Sequence, residues 1–158
     1  MLEEPIFQFN LLFRASEHSF SAYAFHKYCD GKKNTLVLLR TRYGKILGGY
    51  TPIAWSSNSS YSQDHNRETF LFSISNEEKY VQINTEYGIY GNSSYGPTFG
   101  GGHDLYIADH CDTAENTSYF NFGYSYNTED RKYVNGNNET HEAICGSKND
   151  YYAKVEEY

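Results

Sequence analysis

With 158 residues the chain has room for one hydrophobic core, and a formal charge of -7 without a Lys/Arg cluster excludes the electrostatic footprint that nucleic-acid phosphates and anionic membranes require. Seventeen Tyr and ten Phe stand beside one Trp and one Met, so aromatics dominate the candidate core, and their interleaving with Gly, Ser and Asn favours sheets over helices. The charge is uneven: residues 1–50 hold seven Lys or Arg against four Asp or Glu, and the remainder holds six against sixteen.

The opening MLEEPIFQF lacks a basic segment followed by an apolar run, and no stretch nears the roughly 18 apolar residues of a membrane span. Together with the cysteines, this points to a cytoplasmic domain without an integral membrane segment. Cys29, Cys111 and Cys145 are odd in number and far apart, with no CxxC pair, and read as free thiols of a reducing compartment.

The first predicted element is a helix over Ser19 to Cys29, where Ser19 or Ser21 can cap, Phe20, Ala24, Phe25 and Tyr28 recur at helical spacing, and Asp30-Gly31 ends the run. Thr35 to Thr41 and Lys45 to Tyr50 flank a turn at Tyr43-Gly44 and form a hairpin near the centre of the core. Ser56 to Arg67 has the polarity of a surface loop. Glu68 to Ser75 places Phe70, Phe72 and Ile74 on one face of a strand, and Asn76-Glu77-Glu78 turns it into a partner over Lys79 to Ile83. Beyond a Gly-rich stretch, short strands are expected at His103 to Ala108, Ser118 to Phe122 and Thr140 to Cys145. The last nine residues, DYYAKVEEY, alternate as a strand without a turn or cap after it, so the chain is expected to stop inside that strand. No repeat or linker divides residues 1–158, which read as one domain.

Few constellations point to chemistry. Ser93 and Ser94, followed by His103 and Asp104, are the best local candidates for a hydrolase, but no G-x-S-x-G surrounds the serines. His103, Asp104, Asp109, His110, Cys111 and Asp112 are the densest set of metal-binding residue types, yet they lack ligand spacing, and no metal or cofactor is expected. SSYGPTFGGGHD lacks the Lys of a phosphate loop, so its glycines serve turns and close packing. Gly48, Gly49, Gly96, Pro97, Gly100, Gly101 and Gly102 are therefore assigned architectural roles. Exposed tyrosines offer another chemistry, because their faces stack on sugars and on partner side chains.

Three blocks in order carry a resemblance. LLFRASEHSFSAYAFHKYCDGKKNTLVLLRTRYGKILGGYTPIAW (Leu11 to Trp55) resembles the opening of TLDc domains, with an Arg-Ala-Ser turn, a helix and a Gly-Gly-Tyr hairpin. SSYGPTFGGGHDLYIADHC (Ser93 to Cys111) resembles the family's Gly-rich stretch, and SYFNFGYSY (Ser118 to Tyr126) its closing aromatic segment. The resemblance implies an α+β, mainly β fold: two antiparallel sheets packed as a β-sandwich, with a few peripheral helices. It further implies a non-catalytic protein-interaction module linked to oxidative-stress resistance, with subunits of the vacuolar proton-pumping ATPase as partner. The alternative is a small hydrolase-like or antioxidant enzyme with a Ser/His/carboxylate site near the Gly-rich segment. For the binding module, Ser56, Ser57, Ser93, Ser94, His103 and Asp104 form the candidate contact surface, and no residue is assigned as catalytic.

Overall fold

The computed structural model describes residues 8–113, 118–147 and 155–158. In chain order the elements are α1 (Ala15–His18), α2 (Ala22–Cys29), β1 (Thr35–Thr41), β2 (Ile46–Thr51), β3 (Asn58–Ser62), β4 (Phe70–Ser73) and β5 (Glu78–Gln82). There follow β6 (Ile89–Asn92), β7 (Tyr95–Phe99), β8 (Leu105–Ala108), β9 (Tyr119–Phe120), β10 (Tyr126–Asn127), α3 (Asn138–Cys145) and β11 (Val155–Glu157).

Two antiparallel sheets result, one of six strands in the order β10-β5-β4-β2-β1-β11 and one of five in the order β3-β6-β7-β8-β9. The β1–β2 hairpin forms where the alternation put it: Val37 and Leu39 enter the core while Leu36, Leu38 and Arg40 face outward. In β4 the face carrying Phe70 and Phe72 is the outer one, and Leu71 points inward. The sheets meet through Leu39, Leu47, Leu71 and Tyr80 on one side and Ile89, Phe99, Leu105 and Phe120 on the other, all at most 1% exposed. At Gly49 there is no room for a side chain: a Cβ would stand 2.6 Å from Leu71 of the neighbouring strand and 2.8 Å from the Phe99 ring of the facing sheet. Gly48 is equally constrained, because its missing Cβ would overlap the Val37 carbonyl.

Helix α2 covers the sandwich beside β7, its Ser21 hydroxyl accepting from the Ala24 N–H at 3.2 Å. Its buried His26 ties the helix to the second sheet: one ring nitrogen lies 2.6 Å from the Asp30 carboxylate and the other 2.8 Å from the Asn92 carbonyl.

Four expectations need correction. The polar segment Ser56 to Arg67 contains β3, an edge strand exposed on both faces, so it lacks the alternation that marks half-buried strands. The Gly-rich segment contains β7, broken by a register shift between Tyr95 and Thr98; Pro97 sits in that bulge, where its missing N–H leaves no ladder position empty. Thr140 to Cys145 is not a strand but the body of α3. Asn137 accepts from the Glu139 N–H, Gly146 closes the helix in the left-handed region, and Thr140, His141, Ile144 and Cys145 are buried at helical spacing. His103 lies in a turn preceding β8 instead of opening a strand. Of the expected final strand, residues 150–154 lie outside the described residues, and β11 pairs with β1, Thr41 opposite Val155.

Candidate functional site

Each strand of the second sheet presents one tyrosine on the outer face: Tyr61 from β3, Tyr90 from β6, Tyr95 from β7, Tyr106 from β8 and Tyr119 from β9. Cross-strand register places Tyr61 opposite Tyr90 and Tyr106 opposite Tyr119. The β7 bulge swings Tyr95 into the same row even though Phe99, four residues on, points into the core. From Tyr61 to Tyr119 successive ring centroids lie 4.7, 5.8, 4.8 and 4.8 Å apart, within the range of favourable aromatic pairs. Tyr87 extends the row, 4.8 Å from Tyr61.

His103 is the hub of this row. Held in the left-handed region at φ 60°, it lies 5.2 to 6.3 Å from the ring centroids of all five tyrosines. Burial disfavours the imidazolium and lowers its pKa from 6.5. Burial raises the phenol pKa values of Tyr61 and Tyr106, the latter to about 12 with help from its neighbours Tyr95 and Asp109, so these rings stay neutral phenols at physiological pH. The five strands beneath the row contain no Asp, Glu, Lys or Arg.

The four serines singled out from the sequence do come together, at one end of the second sheet. Ser56 and Ser57 precede β3, Ser93 and Ser94 follow β6, and Asn58 pairs with Asn92 between them. The Ser57 hydroxyl donates to Asp30 at 2.5 Å, the Ser56 hydroxyl donates to Asn58 at 3.0 Å, and the Ser94 N–H donates to the Asn92 side chain at 2.9 Å. His103 and Asp104 belong to the turn at the other end of β7, so the strand separates the serines from the backbone of that turn.

Asp104 departs most from its expected role as a surface contact. It is fully buried, and its carboxylate accepts from the consecutive N–H groups of Tyr124, Ser125 and Tyr126 at 3.0 to 3.2 Å. Burial pushes its pKa up to about 7 against the opposing pull of those donors. Gly100 leaves room for that carboxylate, since a Cβ there would overlap it, and the Gly101 N–H donates to the Ser125 hydroxyl at 2.8 Å. The acidic neighbour of His103 is thus a clamp holding the segment before β10 against the Gly-rich turn.

The family model described as TLDc domain matches residues 3–149 of the 158. This chain belongs to the TLDc family. A comparison with curated proteins found no match. In this TLDc domain all three cysteines are buried. Burial, aided by Asp30 for Cys29 and by Asp112 for Cys111, pushes both thiols up to about 12, away from the thiolate form that reacts with oxidants. Two concavities of about 600 and 590 Å³ lie elsewhere on the domain, one beside Ile53 and Asp64 and one between Leu11, Phe13 and β1. Neither is lined by Ser94, His103 or Asp104. No helix among the described residues is long and apolar enough to cross a membrane.

The sequence pointed to exposed tyrosines as a class and to His103 by number, but it did not single out Tyr61, Tyr90, Tyr95, Tyr106 and Tyr119. The available signal was one tyrosine in each short uncharged strand; the alignment of those strands is a long-range property.

Proposed function

We propose that this TLDc domain is a non-catalytic protein-interaction module acting in the cytoplasm, and that it contributes to oxidative-stress resistance by engaging subunits of the vacuolar proton-pumping ATPase. The observation that supports this reading is the row of five tyrosines on the outer face of the second sheet. Tyrosine gives large contact area at low cost in side-chain entropy, and its hydroxyl tolerates both water and a polar partner, which is why it is enriched at binding hot spots. The sheet beneath holds the rings in register before any partner arrives, so little ordering is left for association to bring about.

The test is capture of purified subunits of the proton pump on immobilised domain, comparing the natural chain with a Tyr61→Ala/Tyr90→Ala/Tyr106→Ala variant. Retention by the natural chain with a loss of about tenfold or more in the variant is expected. Circular dichroism should show the same sheet content in both proteins. Equal capture by a folded variant would remove the tyrosine face from the interface, and no capture by the natural chain would remove the pump as partner.

A further inference from the structure

We infer that the tyrosine row receives an arginine-bearing segment of the partner protein, whose guanidinium groups stack on the exposed ring faces. This deepens the interaction reading of the same face and rests on it. The first support is charge. From Tyr80 to Asp130 the chain has no Lys or Arg, while it holds seven Asp or Glu. That stretch supplies β6, β7, β8, β9 and β10, including four of the row's five strands. Nothing cationic therefore rises from the centre of the face to repel an incoming positive charge.

The second support is the position of the acidic groups. Glu86 adjoins Tyr87, which packs on Tyr61 at one end of the row, and the Glu86 carboxylate accepts from Gln63 at 2.5 Å. Asp109 follows β8, takes the Ala22 N–H at 2.7 Å, and lies close enough to Tyr106 to raise the pKa of its phenol. Negative charge thus flanks a neutral aromatic surface, an arrangement that attracts a cation from a distance and then lets it shed water against the π faces.

The third support is geometry. Tyr61 is 38% exposed and the other four tyrosines are half-buried, and ring centroids spaced 4.7 to 5.8 Å apart, with successive rings tilted by 39 to 73°, form a continuous strip instead of isolated rings. A planar guanidinium matches such a strip better than an ammonium, because it stacks in parallel while its N–H groups reach neighbouring acceptors. At the β6–β7 turn the Asn92 amide nitrogen lies 3.5 Å from the Tyr90 hydroxyl, and its Oδ1, which accepts from the Ser94 N–H at 2.9 Å, sets a side-chain oxygen at this end of the row. Burial also disfavours the charged form of His103, so the hub of the row does not compete with the cation at neutral pH.

Two acetylated, amidated pentapeptides, Gly-Arg-Gly-Arg-Gly and its counterpart with citrulline for arginine, are titrated into the full chain while the tyrosine ring resonances are followed by NMR. Citrulline keeps the length and shape of arginine and removes the charge. The arginine peptide is expected to shift the Tyr61, Tyr90 and Tyr106 rings with roughly tenfold higher affinity than the citrulline peptide. A Tyr61→Ser/Tyr90→Ser variant that keeps its amide spectrum is expected to lose the response. Equal affinity for the two peptides would overturn the inference in favour of uncharged stacking. Unchanged arginine binding by the variant would overturn it in favour of the acidic loops alone. If neither peptide shifts the rings while the alanine experiment still maps partner capture to this face, the interaction surface stands and the arginine chemistry falls.

Discussion

The Asp104 carboxylate accepts three consecutive N–H groups in a site closed to solvent, so two forces on its proton oppose each other. Donors favour the carboxylate and burial favours the neutral acid; burial prevails, giving a pKa of about 7 against an ordinary 3.8. A raised folded-state value means the folded protein holds the proton more tightly than the unfolded chain does. The stabilising contribution is therefore complete below pH 3.8 and lost as pH rises through about 7. Comparing urea midpoints of the natural chain and Asp104→Asn between about pH 4 and pH 8 isolates this effect. The natural chain is expected to lose stability relative to the variant as pH rises; a gain would show that the three donors hold the group ionised. His103 contributes with the opposite slope, because its lowered pKa removes stability as pH falls below 6.5, and the Asn comparison cancels it.

Among the elements, those with a strong local pattern were legible from the residues, and those shaped by exposure or bulging were not. Helix α2 and the β1–β2 hairpin show full periodicity and formed where expected, with Ser21 of the two candidate serines as the cap. Replacing Ser21 with Ala leaves the Ala24 N–H without its side-chain acceptor, at a cost of about 1 kcal/mol measured by urea unfolding. Ser19→Ala is expected to cost less, since the Ser19 hydroxyl accepts the Ser21 N–H at a longer 3.3 Å and its loss leaves the Ala24 N–H with its acceptor. β3 has no signature in the sequence because NSSYS sits at a sheet edge and is largely exposed, so no apolar alternation is required of it. β7 was hidden by Gly96 and Pro97, residues that read as a turn and here form a bulge. In α3 the buried positions Thr140, His141, Ile144 and Cys145 include only two apolar side chains, too few to reveal the helical period against a short strand.

At the scale of the whole molecule, the sandwich closes where Gly49 of one sheet faces Phe99 of the other. Gly49→Ala puts a methyl within 3 Å of both Leu71 and Phe99 and is expected to cost about 1–3 kcal/mol, read as a lower urea midpoint with the slope unchanged. A stability equal to that of the natural chain would show that the sheets can slide apart at this point.

The family, the mainly β architecture and the core hairpin were determined by the residues themselves, because alternation, turn chemistry and motif order are local properties. The position of His103 in the chain was equally plain, but its role was not, since its five aromatic neighbours come from five separate strands. Only the tertiary structure aligned Tyr61 with Tyr90 and Tyr106 with Tyr119, buried Asp104 beneath residues twenty positions downstream, and left the serines at the other end of β7. The physical reason is that a strand's own residues decide which side chains share a face, whereas the partner and register of that strand are decided by packing between segments far apart along the chain.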